Sequence, residues 1–279
     1  ADAARALKTE QQSDAYSLIV AAQLQNMQTI AANTKTPDTA RANFSSALTS
    51  AISAGQAAIK IHPQDYRSYL ALARLYDYLA TLNIQGGYDN ALAAYKAAAL
   101  RAPLDPEIPL ALARLASGQN NTELTKQYLS QALTQKPNYT DAILFIVQLD
   151  VAQKDTQGAI TAAKAAIQTA PGVGSIWFEL GLLYYSANDT ANAIPVLEKA
   201  ISIIPDYANA KYFLGLSYAA QNRNKDAVQQ FMDLQKTNPD NQERKLILAN
   251  SQAGKPPFTG ATPPVTAHPE TRPTAPIAQ

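Results

Sequence analysis

The chain has 279 residues, with 23 Lys+Arg against 22 Asp+Glu and a formal net charge of +1. That balance excludes the basic stripe of a nucleic-acid binder, and the absence of cysteine excludes disulfides, thiol catalysis and thiolate metal sites. Hydrophobic residues make up 47%, enough for a core. No stretch reaches the roughly 18 to 20 apolar residues of a membrane span, so no direct membrane insertion by this segment is expected.

In chain order, residues 3–33 read as one long helix with Tyr16, Ile19, Val20, Leu24, Met27 and Ile30 on one stripe. Pro37 is read as the break, followed by a second helix over 38–61 with Asp38 as its N-cap. Residues 1–65 thus form an N-terminal helical pair, a degenerate repeat. Beyond it Pro103, Pro137, Pro171, Pro205 and Pro239 recur every 34 residues, each ending a helix-period segment because proline lacks an N–H and clashes with the preceding turn.

Placing each proline at position 32 gives units 106–139, 140–173, 174–207 and 208–241. Position 8 then reads Ala113, Val147, Gly181 and Gly215, and position 20 reads Thr125, Ala159, Ala193 and Ala227. Small residues there let two helices approach, while Leu129, Leu197 and Phe231 at position 24 fill the space between neighbours. Unit 66–105 keeps the marks Tyr69, Leu72, Ala73, Tyr76, Ala91, Tyr95, Ala98 and Pro103 but is 40 residues long. Its surplus holds Gly86-Gly87, which predicts an extended first helix and a longer loop.

Unit 140–173 has Asp150 at position 11 and Ala163 at position 24, so it is expected to be the softest. Pro195 lies early enough in its helix to cost little. A sixth unit stops after one helix, 242–253, made polar by Gln242, Glu243, Arg244 and Lys245 as the end of an open stack requires. Residues 254–279 contain seven prolines and five threonines, a composition that predicts a disordered tail.

Unit 174–207 carries Trp177, Leu180, Gly181, Tyr184, Ala193, Leu197, Ala200 and Pro205. This resembles the tetratricopeptide repeat (TPR) pattern, with Leu197 where Phe is usual, and the resemblance extends over 66–253. It implies an all-α fold, an α-α superhelix (TPR solenoid) with a long N-terminal helix, a C-terminal capping helix and a disordered Pro/Thr-rich tail. The repeat family lines its concave groove with first-helix residues at positions 2, 5, 9, 12 and 13. Carried over, those positions imply a partner-binding groove of Arg67, Arg74, Arg114, Leu144, Gln148, Phe178, Leu182, Tyr185, Tyr212 and Leu216, with Leu70, Asp77, Glu107 and Leu110 beside them. The guest is read as an extended peptide or protein segment, acidic toward the N-terminal end and apolar toward the other. The Lys/Asn clamp by which some relatives hold acidic chaperone tails is not present, since Leu70, Arg74 and Ala111 stand at its positions.

Catalysis has little to work with. His62 precedes Pro63 and His268 lies in the tail, and no triad, metal cluster or phosphate loop is found, so no enzyme, metal or cofactor is expected. Pro273 and Pro276 form a P-x-x-P spacing of the kind that arises freely in such tails.

The order of parts carries a second resemblance. A long N-terminal helix, the segment Ile59–Tyr66, a Tyr-rich unit with a Gly-Gly insertion, regular repeats and Lys255-Pro256-Pro257-Phe258 are similar to the soluble C-terminal part of bacterial O-antigen-ligase-like multi-spanning membrane proteins. This implies a membrane half upstream of Ala1 and a place at the bacterial envelope; the alternative is cytoplasmic. Three function classes follow: a scaffold in an envelope-associated assembly, a structural domain packing on its own membrane half or on another copy as an auxiliary to polysaccharide ligase or polymerase chemistry, and a sugar-binding or enzymatic module using the aromatic face.

Overall fold

The computed structural model describes residues 2–32, 37–237, 242–253, 255 and 259–260, and every regular element among them is an α-helix. These are α1 (Asp2–Ala32), α2 (Pro37–Ile61), α3 (Tyr66–Thr81), α4 (Gly87–Arg101), α5 (Glu107–Gly118), α6 (Thr122–Gln135), α7 (Thr140–Ala152), α8 (Thr156–Thr169), α9 (Gly174–Ser186), α10 (Thr190–Ile203), α11 (Ala208–Ala220), α12 (Asn224–Thr237) and α13 (Gln242–Gln252). They group into two compact units, Ala1–Pro137 with α1 to α6 and Asn138–Gln279 with α7 to α13. Within each unit successive helices pair as antiparallel hairpins, a leading helix and a trailing one.

The turn inside each hairpin repeats at the same interval as the prolines. Asn120, Lys154, Asn188 and Asn222 all take φ between 56° and 61°, the left-handed conformation that asparagine tolerates better than most residues. The N–H that follows each of them reaches back to Ala116, Asp150, Tyr184 or Tyr218 O at 2.8–3.1 Å, closing the leading helix as a Schellman motif. The next side chain caps the trailing helix: Asn121 Oδ1 accepts from Leu124 N, Asp155 from Gly158 N and Asp189 from Asn192 N. Two adjacent residues therefore end one helix and begin the next.

Trailing helices end as the prolines require. Ala102, Lys136, Ala170 and Ile204 adopt φ between −122° and −140°, forced out of the helical region by the ring that follows. Position 4 then ties two of the joints. Trp177 Nε1 donates to Pro171 O at 2.8 Å and Tyr69 Oη to Pro63 O at 3.1 Å.

Packing follows the small-against-large pattern. A Cβ on Gly181 would lie 2.6 Å from Leu197, and one on Gly215 would lie 2.7 Å from Phe231. Glycine is thus required at these two positions, opposite Leu197 and Phe231. The repeat register sets Val147 against Ala163 in the α7–α8 hairpin, where the large and small partners are exchanged, and both are buried.

The 40-residue unit has the extended leading helix and the longer loop expected of it. α3 runs 16 residues against 12 or 13 in the leading helices that follow. Gly86 caps α4 at φ 78°, and a Cβ on Gly87 would stand 2.6 Å from the backbone nitrogen of Ala80. Only glycine lets α4 start so close to the end of α3.

Two local expectations are corrected. Pro37 opens α2 rather than standing outside it, which places Asp38 in the first turn instead of at the cap. On α1 the buried line is Ser13, Val20 and Met27: Ser13 bonds with Ser68 and Ala58 O, and Val20 and Met27 pack with Ala47, Ala51 and Ala54 of α2 and with Leu72, Leu75 and Leu79 of α3. Tyr16 and Ile19 are exposed, because a seven-residue line suffices to meet a partner as narrow as an alanine row. At the other end α13 caps the second unit with Ile247 fully buried. There the tail is held at two points: Asn250 Nδ2 donates to Thr259 O at 2.7 Å and Lys255 N to Asn250 O at 2.8 Å. The rest of 254–279, including His268 and the P-x-x-P spacing, lies outside the described residues.

Candidate functional site: the leading-helix faces

In unit 1 the face built by α1, α3 and α5 is charged. Arg67 meets three carboxylates, Asp65 at 2.9 Å, Asp14 at 3.2 Å and Glu10 at 3.4 Å. Asp65 also accepts from Arg67 N and so caps α3. Two turns along α3, Arg74 pairs with Glu107 at the start of α5. Asp77 accepts from Tyr95 Oη at 3.2 Å. Burial pushes the Asp77 carboxyl above its ordinary range, and the Tyr95 bond and the charge of Arg114 pull it partly back. The Tyr95 phenol is pushed up by burial and by the Asp77 charge. Leu70 and Leu110, at position 5, are buried beneath this layer.

In unit 2 the corresponding face is aromatic and largely sealed. Phe178 stacks at 4.8 Å on Tyr207 and lies 6.1 Å from Phe213. Phe213 in turn meets Tyr185 at 5.3 Å and Tyr212 at 5.4 Å, and Tyr212 reaches Phe231 at 5.9 Å. Edge-on and tilted contacts of this kind add to area burial. Burial pushes the Tyr207 phenol up to about 12, with the Glu179 charge adding to it. Tyr218 reaches about 12 through burial and its bond to Glu198, and the Arg223 guanidinium lies 4.3 Å over its ring.

Placed on this geometry, the ten expected residues divide. Arg74, Arg114 and Gln148 are exposed, and Leu144, Tyr185 and Tyr212 are half-buried. Phe178, Leu182 and Leu216 are corrected: at 2%, 8% and 2% exposure they belong to the core. The reason is that positions 5 and 9 of α9 and α11 turn into the aromatic cluster, which closes over them. Arg67 is exposed but already engaged by α1. Sequence reading missed its carboxylate partners, although Glu10 and Asp14 lie one turn apart and Glu107 falls at position 2 of the unit after Arg74. Trp177 is tied to Pro171 at the joint between repeats.

Among the described residues no group of three or more His, Cys, Asp or Glu could hold a metal, and no helix is long and apolar enough to cross a membrane.

Residues 146–208 and 184–250 each match a tetratricopeptide repeat family model. Among solved structures the chain is similar to PilW, described as a widely conserved type IV pilus biogenesis factor. The two share 19% identity at a TM-score of 0.53, covering 82% of this chain and 98% of that one. It is similar to the MamA protein at 24% identity and TM-score 0.48, covering 61% and 90%. It is also similar to YrrB, described as a TPR protein with an unusual peptide-binding site, at 16% identity and TM-score 0.48, covering 72% and 97%. At these identities the likeness is one of fold. A comparison with curated proteins gave no match. Residues 146–250 thus match tetratricopeptide repeats, and the fold class of the chain is the all-α TPR solenoid. That fold is one of protein-interaction scaffolds.

Proposed function

We propose that the protein is a non-catalytic scaffold that holds an extended segment of a partner protein against its leading helices, in a bacterial envelope-associated assembly. One observation carries this reading. Above a closed core, positions 5, 9 and 12 still present Tyr212, Arg74, Arg114, Gln148 and Tyr185 at the surface or half-buried, and arginine and tyrosine are favoured anchors at binding surfaces. The envelope setting rests on the layout resemblance to O-antigen-ligase-like proteins, in which a membrane half would precede Ala1 and hold any chemistry.

The test is photo-crosslinking from position 148 in extracts of the source cell, with partners identified by mass spectrometry. The Arg74→Glu/Arg114→Glu and Tyr185→Ala/Tyr212→Ala pairs are compared with the parent. A changed specific crosslink in either pair, lost or strengthened, supports the scaffold; unchanged capture in both overturns it.

A second reading has its own support. Leu100 and Leu104 are 83% and 82% exposed, where the other repeats place Thr134, Gln168 and Ser202, and Asn138, Gly172 and Asp206. Leucines at otherwise polar positions suit a domain that packs on its own membrane half or on another copy. Self-association of the full chain in sedimentation, abolished by Leu100→Ser/Leu104→Ser, would favour this reading over the first.

A further inference from the structure

Resting on the scaffold reading, we infer that the leading-helix face of unit 1 takes a basic segment, one bearing Lys or Arg, rather than the acidic one its arginines suggest. The arginines Arg67, Arg74 and Arg114 were the reason to expect an acidic guest. The structure sets Glu10, Asp14 and Asp65 around the first, Glu107 on the second and Asp77 within the field of the third. The face therefore carries five carboxylates against three guanidinium groups. An acidic guest would meet guanidinium groups already neutralised, and would have to displace an existing partner to gain each contact. A basic guest meets the excess carboxylates and displaces nothing.

A second observation points the same way. The Asp65 side chain is only 4% exposed. Its Oδ1 serves both Arg67 donors, and its Oδ2 is a buried acceptor with no hydrogen-bond partner among the described residues. A buried carboxylate oxygen without a donor leaves its negative potential uncompensated at that end of the face, which favours a cationic guest over an anionic one. Asp65 sits beside the Arg67 guanidinium, which also reaches Asp14 and Glu10. Asp77 offers a further acceptor roughly three helical turns further along α3, a span an extended peptide covers in about five residues. The partner is thus a segment in which basic side chains recur at short intervals.

The experiment measures fluorescence anisotropy of the full chain with two short labelled peptides, one alternating Lys and Ala and its twin alternating Glu and Ala, at low and raised salt. The Lys peptide is expected to bind, to weaken as salt rises, and to lose about tenfold in affinity in Glu10→Gln/Asp14→Asn. Asp77→Asn, which keeps an acceptor for Tyr95, is measured beside it, so a folding defect in one variant leaves the other to decide; unchanged circular dichroism identifies the folded ones. Tighter binding of the Glu peptide overturns the inference, as does Lys-peptide affinity indifferent to both variants. Either result leaves the scaffold itself standing, because that is decided separately by the crosslink from position 148.

Discussion

The two units use one backbone repeat for two different surfaces. In unit 1 the leading helices place charge at positions 2, 9 and 12, and the charges find each other across neighbouring helices: Arg67 with Glu10 and Asp14, Arg74 with Glu107. In unit 2 positions 5, 9 and 12 of α9 and α11 hold aromatic and aliphatic side chains that close on themselves around Phe213. The contrast shows that the repeat fixes where a side chain stands, while its chemistry decides whether it remains available to a guest. Exposed ion pairs contribute little to stability and stay at the surface. Aromatic side chains gain by burial and withdraw from it.

The largest test of that contrast is Phe231→Ala. Phe231 is fully buried between Tyr212 and Gly215, and its truncation is expected to destabilise the protein by about 3 to 5 kcal/mol in urea denaturation. A loss under about 1 kcal/mol would erase the difference between the units.

Within unit 2, hydrogen exchange is expected to be fastest in α7 and α8. α7 buries only Ala142, Ile143, Val147 and Asp150, whereas α9 buries Phe178, Leu180, Leu182 and Leu183 among others. Slower exchange there than in α9 and α10 would mean that the Val147–Ala163 exchange of large and small fully compensates.

Alkali probes the buried phenols. Tyr207 and Tyr218 titrate near 12 in the folded protein, against about 10 in an unfolded chain. Below pH about 10 both states hold the proton, and above it the unfolded state loses it first. Stability is therefore complete at pH 9 and falls as pH rises toward 12, read as a declining Tm. Tyr207→Phe should flatten part of that decline.

Two smaller effects complete the comparison. Lys154 holds φ 61° where the other turns have asparagine, so Lys154→Gly is expected to gain about 0.5 to 1 kcal/mol. Arg74→Gln in unit 1 should cost less than about 1 kcal/mol and less still in high salt. A larger loss would show that unit 1 depends on its surface charges as unit 2 depends on its core.

Much of the fold was legible because proline and small residues act locally. The 34-residue proline spacing located every trailing-helix end from α4 to α10, and positions 8 and 20 located the helix contacts. The left-handed residues were equally periodic but carry a weaker signature, three asparagines and a lysine, and were passed over. The candidate face was less legible. Phe178, Leu182 and Leu216 occupy positions that line grooves in relatives, but whether such a residue faces a guest depends on what Tyr207, Phe213 and Phe231 do around it. The engagement of Arg67 likewise required α1, more than fifty residues earlier in the chain, to lie beside α3. Spacing within a repeat does not contain that fact.

The sequence has a single tryptophan, and its indole N–H is bound to the carbonyl of Pro171. Intrinsic emission is therefore a label placed by nature at one seam, the junction of α8 with α9. A spectroscopist following unfolding without any added dye would watch that seam part, and could time its opening against the loss of helix elsewhere.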